Sequence, residues 1–147
     1  MARIRTRIEL DRSWVLAVAA SMAAPRVNET TTAVLNRSKI LTPVDTGNLR
    51  ASQRKTMRVR KTYVAGTVET RVKYALYVHN GTVAHLIRAR NARFLRFEVD
   101  GKVVFRRSVW HPGTKPRPFL ATALIEEAEK RGFRVIAGTG TGFVASG

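Results

Sequence analysis

The apolar residues change their spacing at Pro43, and this change limits the folds open to the chain more than any other feature. Before it, Val34 and Leu41 belong to an apolar stripe with helical spacing, and the proline stops that helix. After it, Met57 and Val59 alternate with arginines, which is the period of two of a half-buried strand. A chain in which helix gives way to consecutive strands is predicted to be α+β.

The N-terminal part of the chain is predicted to hold one short strand and a long helical region. Residues 4–10 alternate between charged side chains and apolar or threonine side chains, as a strand does. Asp11 or Ser13 can cap a helix that begins near Trp14. Pro25 either kinks this helix or opens a second helix at its first turn.

The middle of the chain is predicted to form antiparallel strands. Residues 52–72 carry two alternating series, with a bend at residues 61–63 between them. Asp100-Gly101 has the composition of a tight hairpin turn. Further strands are predicted at residues 85–90, 94–99 and 103–109.

The C-terminal part is predicted to begin with a helix that runs from near Pro118 to its cap at Gly132. The chain beyond is rich in Gly, Thr and Ala, so residues 133–147 are expected to be a loose tail, or an arm that orders only in an assembly. Residues 1–132 are therefore predicted to be one α+β domain. Its antiparallel sheet of about four to five strands packs against a long N-terminal helix, kinked or straight, and the C-terminal helix.

Basic residues strongly outnumber acids. The chain of 147 residues has 27 Lys and Arg against 10 Asp and Glu, a net charge of +17, and Glu69 is the single acid in residues 46–97. Such a field attracts polyanions: nucleic acid, a membrane surface or an acidic protein face. The apolar run at residues 14–24 is too short to span a bilayer, so we expect no membrane partner and a protein that is cytosolic when made.

None of the patterns that suggest catalysis has the context that catalysis needs. Asp45-Thr46-Gly47 is the tripeptide of aspartic proteases, but it lacks flanking apolar strands. We expect a turn instead, in which the Asp45 side chain bonds nearby backbone N–H groups. The spacings of His79, His85 and His111 match no metal site. The chain is predicted to be no enzyme and to hold neither a metal nor a cofactor.

Basic side chains interleaved with aromatic ones are the best candidates for contact with nucleic acid or with an acidic partner. Arg and Lys neutralise phosphates, and aromatic rings stack on exposed bases. No helix-turn-helix, zinc-finger or RNA-binding motif accompanies them in the sequence. The candidate contacts are Arg50, Arg54, Lys55, Arg58, Arg60, Arg88, Arg90, Arg93 and Arg96.

Three segments, in this order, carry a resemblance to a known family. They are residues 42–52 (TPVDTGNLRAS) after the N-terminal helix, residues 72–82 (VKYALYVHNGT), and residues 115–120 (KPRPFL) before the C-terminal helix. The set resembles the head–tail joining or tail-completion proteins of long-tailed phages, including the gene-ten-like family of phage Hong Kong 97. The resemblance covers residues 13–131, most of the chain.

This resemblance implies a small α+β fold with a sheet packed against helices. It also implies a structural protein of the virion neck, at the interface of head and tail, that is assembled in the host cytoplasm. Its subunits are expected to form a homo-oligomeric, hexameric ring that completes the tail or joins it to the head connector. The implied partners are the head-side connector or stopper protein and the tail tube or terminator protein, with packaged double-stranded DNA passing through the ring. A tail-terminator ring and a free basic nucleic-acid-binding protein are the alternatives. The expected interface or fold-defining positions are Asp45, Thr46, Gly47, Tyr74, Tyr77, Gly81, Thr82, Pro116, Pro118 and Phe119.

Overall fold

The computed structural model describes residues 4–9, 17–60, 63–137 and 142–146, and within them the fold is α+β, as predicted. The helices are α1 (Ala17–Leu41), α2 (Asn48–Ala51), α3 (Ala75–Asn80) and α4 (Phe119–Glu129). The strands are β1 (Ile4–Glu9), β2 (Arg54–Val59), β3 (Val64–Thr70), β4 (His85–Arg88), β5 (Leu95–Val99), β6 (Lys102–Arg106), β7 (Ser108–His111), β8 (Arg134–Ala137) and β9 (Gly142–Ser146).

Five of these strands form one sheet, in the order β2-β3-β1-β9-β8. The strand expected near residues 4–10 and the hairpin expected within residues 52–72 are both confirmed, as β1 and as the antiparallel pair β2–β3. The sheet is mixed rather than wholly antiparallel, because β9 runs parallel to β1. The chain reaches β9 only after α4 and β8, and it comes back beside β1 in the same direction.

The expectation that the C-terminal segment is a loose tail is wrong for the residues that the structure describes. Strand β8 pairs with β9, and β9 pairs with β1, so residues 134–137 and 142–146 complete the sheet of the single chain. Phe133, just before β8, is buried, and Val135 packs against the core. The pairing satisfies backbone groups along one edge of β1, and the alternating Gly and Thr of residues 138–142 do not reveal it in the sequence.

Helices α1 and α4 pack on each other, and the core lies between them and the sheet. Helix α1 continues through Pro25, so the alternative of a second helix starting there is wrong. The predicted start near Trp14 lies outside the described residues. The helix predicted from Pro118 is confirmed as α4. Fully buried apolar side chains in this core include Ile8, Val27, Val34, Val68, Leu120 and Leu124.

Helix α1 approaches the sheet most closely at a glycine. A β-carbon at Gly66 of β3 would stand 1.8 Å from the hydroxyl oxygen of Thr31 in α1, so no larger residue fits without moving one of the two elements. The Thr31 hydroxyl donates to the Val27 carbonyl one turn earlier, which satisfies it within this dry contact.

Residues 85–111 form a long hairpin outside the sheet, which we call the β-arm. Strand β4 pairs with β7 and β5 pairs with β6, so the strands predicted here exist but do not join the main sheet. The hairpin turn at Asp100 (φ 50°) and Gly101 (φ 76°) is confirmed, with the two positive φ angles of a type I′ turn. No residue from Val83 to Pro118 is buried, so the β-arm has no core of its own.

Candidate partner-binding groove

The three segments behind the family resemblance come together in the folded chain. Residues 42–52 form the loop before α2 and α2 itself, residues 72–82 include α3, and residues 115–120 lead into α4. Between them lie two adjoining depressions of about 680 and 690 Å³. We call this combined depression the motif groove; both halves are lined by Pro43, Tyr74, Val78 and Arg117.

The base of the β-arm forms one wall of the motif groove. His85 and Ile87 of β4 and His111 of β7 line the same half as Tyr77 of α3. These three arm residues project from one face of the β4–β7 pair, since His85 stands opposite His111 and Ile87 lies two residues from His85. The sequence analysis did not include this wall, because residues distant in sequence create it.

Backbone contacts bind the second and third segments to each other. Thr82 and Thr114 exchange two backbone hydrogen bonds of 3.0 Å each, and the Arg117 N–H donates to the Val78 carbonyl at 3.0 Å. Gly81 has φ 72° and ψ −177°, a region open essentially to glycine alone. The predicted turn at Gly81 and Thr82 is therefore a tight junction between the two segments.

Phe119 fastens the third segment to the core. Its side chain is buried, and its ring meets the edge of the His79 ring with centroids 5.5 Å apart. Pro118 occupies the N-cap position of α4, and Pro116 lies against Gly81. Through these contacts the three residues hold the loop against α3 and the core.

The first segment differs from expectation in one respect. Gly47, with φ 81°, occupies the N-cap position of α2, and no side chain caps this helix. The predicted role of Asp45 as a backbone-bonding cap is therefore wrong at the start of α2, because the glycine conformation places the chain there without side-chain help. Asp45 and Thr46 are exposed and line one half of the motif groove.

Two tyrosines give the motif groove an aromatic surface open to solvent. Tyr74 is 44% exposed and Tyr77 is 60% exposed, although both belong to the short, largely apolar segment around α3. Exposed tyrosines suit a protein interface because each offers a large apolar ring and a hydroxyl. Arg117 and Lys115 add positive charge to the same half of the groove.

The candidate contacts for nucleic acid or an acidic partner fall on two separate parts of the molecule. Arg50 is exposed on α2, and Arg60 directly follows β2. Lys55 of β2 has a structural contact, because its ammonium donates to Asn28 and Thr32 of α1. Arg54 and Arg58 alternate with Lys55 on β2, whereas Arg88, Arg90, Arg93 and Arg96 belong to the β-arm.

The outer face of the sheet carries an ion-pair cluster that the sequence did not reveal. Glu69 of β3 is buried, and its carboxylate lies 3.2 Å from the Arg5 guanidinium of β1 and 3.7 Å from that of Arg71. Arg5 and Glu69 stand directly opposite each other in the β1–β3 register. The only acid in the basic middle segment therefore neutralises charge within the sheet.

A cation–aromatic cluster lies at the middle of the β-arm. The guanidinium groups of Arg93 and Arg107 lie 5.7 and 5.9 Å from the centre of the Phe94 ring. All three side chains are exposed where residues 89–94 bulge opposite Arg107. An exposed ring between two arginines suits a base or an acidic surface.

The histidines do not assemble a metal site. The rings of His85 and His111 face each other across β4 and β7, with centroids 5.2 Å apart, and the Gly113 N–H donates to Nδ1 of His111. Within the part of the chain that the structure describes, no three potential ligands gather to hold an ion. The buried Nε2 of His79 has no hydrogen-bond partner.

The described residues also contain no helix long and apolar enough to cross a bilayer. Compared with known proteins, the chain matches no family model, and no curated protein or solved structure is significantly similar to it.

Proposed function

We propose that this chain is a structural subunit of a tailed-phage neck, which forms a ring that completes the tail or joins it to the head connector. One observation carries the proposal: the three segments that resemble this family, far apart in sequence, line a single groove. The groove offers exposed tyrosines and cations rather than a cluster of catalytic groups. A surface of that kind suits docking of a protein.

The β-arm supports a role in assembly. A two-stranded hairpin is at best marginally stable alone in water, and this one exposes Phe105, Trp110 and Val103. A ring subunit needs two different complementary surfaces, since neighbours meet head to tail. The arm and the motif groove are two such surfaces on one chain.

The charge supports the partners proposed for the ring. At +17 for each subunit, a ring of six copies concentrates a strong positive field around its axis. Packaged double-stranded DNA passing through the ring, or an acidic rim on the head-side connector or the tail tube, is attracted by that field. The proposed location is the virion neck.

The test combines assembly in solution with position in the virion. The purified protein, alone and mixed with tails, is measured by light scattering and native mass spectrometry, and negative-stain images locate it on tails and virions. We expect a ring that binds the head-proximal end of the tail. In a lysate that lacks this protein, adding it should restore the joining of heads to tails. A protein that remains monomeric and fails to restore joining contradicts the proposal. A ring that stops tube growth but is not needed for joining identifies the tail-terminator variant.

A free nucleic-acid-binding protein is the second candidate, favoured by the exposed Phe94 cluster on the β-arm. This candidate requires the monomer to bind duplex DNA tightly. For each tenfold rise in salt concentration, the logarithm of the binding constant should fall by about 0.9 for each phosphate neutralised. Binding of a short duplex is titrated between about 0.05 and 0.2 M salt. Tight binding by the monomer at physiological salt favours this candidate, whereas weak binding there favours the neck.

A further inference from the structure

We propose that the tip of the β-arm of one copy docks into the motif groove of a second copy of this chain. The arm tip is defined as residues 98–103, around the turn at Asp100 and Gly101. This inference rests on the proposed ring, because it names the contact by which ring neighbours hold each other. The occupant of the groove is thus another copy, bound head to tail.

The arm tip has apolar surface that is left uncovered by the part of the chain that the structure describes. Val99 and Val103 are each 46% exposed, and Phe105, just behind the tip, is 56% exposed. No residue of β5 or β6 lines the motif groove or belongs to the core. Removing these side chains from water on docking favours the assembly through the hydrophobic effect.

The charges of the tip and of the groove are complementary. Glu98 and Asp100 are the only acids between Glu69 and Glu126, and both lie at the tip. The groove half beside the arm base has Lys115 and Arg117 and no acid among its lining residues. An acidic tip in an otherwise basic region thus fits the cationic groove of the same sequence.

In a second pair of opposite charges, the cation lies at the tip and the carboxylate lies in the groove. Lys102 follows the turn at the tip, and Asp45 lines the other half of the motif groove. The tip therefore presents carboxylates beside one ammonium, and the groove presents two cations beside one carboxylate. When each partner has both a cation and a carboxylate that face opposite charges, the charges fix the relative position of the two surfaces as well as attract them.

The length of the arm carries the tip away from the groove of its own chain. The base of the arm, at His85 and Ile87, forms a wall of that groove. The nine residues of β4 and β5 extend the arm by about 30 Å at 3.3 Å per residue. That is about twice the radius of gyration of roughly 15 Å expected for a domain of this size, a length that suits contact with a neighbouring copy.

Duplex DNA fits the tip less well than a protein does. The four arm arginines that are candidates for phosphate contact, Arg88, Arg90, Arg93 and Arg96, all lie outside the tip, where Lys102 is the one cation beside two carboxylates. Phosphates are repelled by Glu98 and Asp100. A head-to-tail contact between copies leaves the bulge free for a polyanion.

Cysteine cross-linking tests the contact directly, because the chain has no cysteine of its own. The double variant Val99→Cys with Tyr77→Cys places one thiol at the tip and one in the groove. Under mild oxidation we expect a ladder of covalent multimers on a non-reducing gel, up to the size of the ring. The matched control, Val99→Cys with Met22→Cys, uses an exposed position on α1 and should give no ladder.

Charge reversal tests the attraction. We expect Glu98→Lys with Asp100→Lys to weaken self-association at least tenfold, and Lys115→Glu with Arg117→Glu to do the same. In an equimolar mixture, the reversed tip of one variant fits the reversed groove of the other, and the native tip of the second fits the native groove of the first. Both contacts between unlike copies are then matched, so rings of alternating variants should form.

The outcomes separate this inference from the proposed function. Rings that form as well with the reversed tip as with the native tip overturn the docking and leave the neck proposal standing. A double-cysteine variant that closes only within one chain also overturns the docking. If duplex DNA, and not a second copy, protects the tip thiol from alkylation, the docking is overturned as well. If the protein is monomeric and gives no ladder, the docking is wrong, and the joining assay alone decides the neck proposal.

Discussion

Gly81 lies so close to Thr114 that a β-carbon at Gly81 would stand 2.5 Å from the Thr114 carbonyl oxygen. The same atom would stand 2.8 Å from the backbone nitrogen of Pro116. Both neighbours are backbone atoms, which cannot swing aside as a side chain does. This contact holds the loop of residues 115–120 against the end of α3, and so it holds two walls of the motif groove together.

Gly81→Ala should destabilise the fold by about 2–4 kcal/mol, because it adds a strained φ of 72° to a backbone clash. The measurement is the free energy of unfolding in urea. The matched control is Gly101→Ala, which also has a positive φ of 76° but meets nothing within 4 Å. It should lose only about 1–2 kcal/mol. Equal losses at the two positions contradict the close contact.

Shortening the β-arm should leave the body of the protein as stable as before. The backbone N–H of Ala89 donates to the Arg107 carbonyl, so Asn-Gly in place of residues 90–106 closes a two-residue hairpin there. Because none of the removed residues is buried, the free energy of unfolding should change by less than about 0.5 kcal/mol. A larger loss in urea unfolding shows that the arm stabilises the core.

The ion pair between Arg37 and Glu126 should make stability fall in acid. The Arg37 guanidinium donates to the Glu126 carboxylate and joins α1 to α4, and this hydrogen bond lowers the pKa of Glu126 below its ordinary value of 4.5. A lowered folded-state pKa contributes stability that is present above the unfolded-state value and is lost as pH falls through the folded-state value. Urea midpoints measured from pH 7 down to pH 3 follow that loss.

Variants of the pair isolate its share of the pH dependence. Glu126→Gln and Arg37→Gln should each reduce the difference between the neutral and acidic midpoints. The double variant should reduce it no further than either single one, because both remove the same contact. Additive effects contradict the assignment. Glu127, whose pKa Arg131 lowers by a separate hydrogen bond, supplies part of the remaining difference.

Gln53→Ala should destabilise the protein by about 1–3 kcal/mol. The Gln53 amide is buried, accepts from the Ser38 hydroxyl and donates to the Thr42 hydroxyl, so it ties the end of α1 to the start of β2. Gln53→Met keeps most of the volume but none of these hydrogen bonds, and thermal unfolding of the two variants separates packing from hydrogen bonding. If Gln53→Met is as stable as the native protein, the hydrogen bonds add nothing.

Local patterns in the sequence were sufficient to predict most of the elements. Alternation predicted β1 and the β2–β3 hairpin, and helical spacing with Pro118 and Gly132 predicted α4. The Asp100-Gly101 turn was also predicted, because a type I′ turn depends on a few adjacent residues. These features are encoded within about ten residues, which is the range over which periodicity and capping act.

The placement of the elements could not be predicted in the same way. Gln53 is polar yet buried, and β9 follows a stretch of alternating Gly and Thr yet joins the sheet, because partners distant in sequence satisfy both. The strands of the β-arm have the same alternation as sheet strands, so alternation alone could not show that they leave the body. In the candidate site, the sequence singled out the turns and both tyrosines as interface or fold-defining positions, but it did not show that the tyrosines are exposed or that His85 and Ile87 form a wall.

The sequence by itself determined the α+β class, the positive charge, the tight turns and the three segments of the family resemblance. Only the tertiary structure decided that these segments line one groove, that the acidic turn at Glu98 and Asp100 lies at the end of an unburied arm, and that the C-terminal strands complete the sheet. The physical reason is the distance along the sequence over which each kind of interaction acts. Turns and helices are stabilised by neighbours in sequence, whereas a groove, a sheet order and an exposed arm depend on which distant surfaces the whole chain buries together.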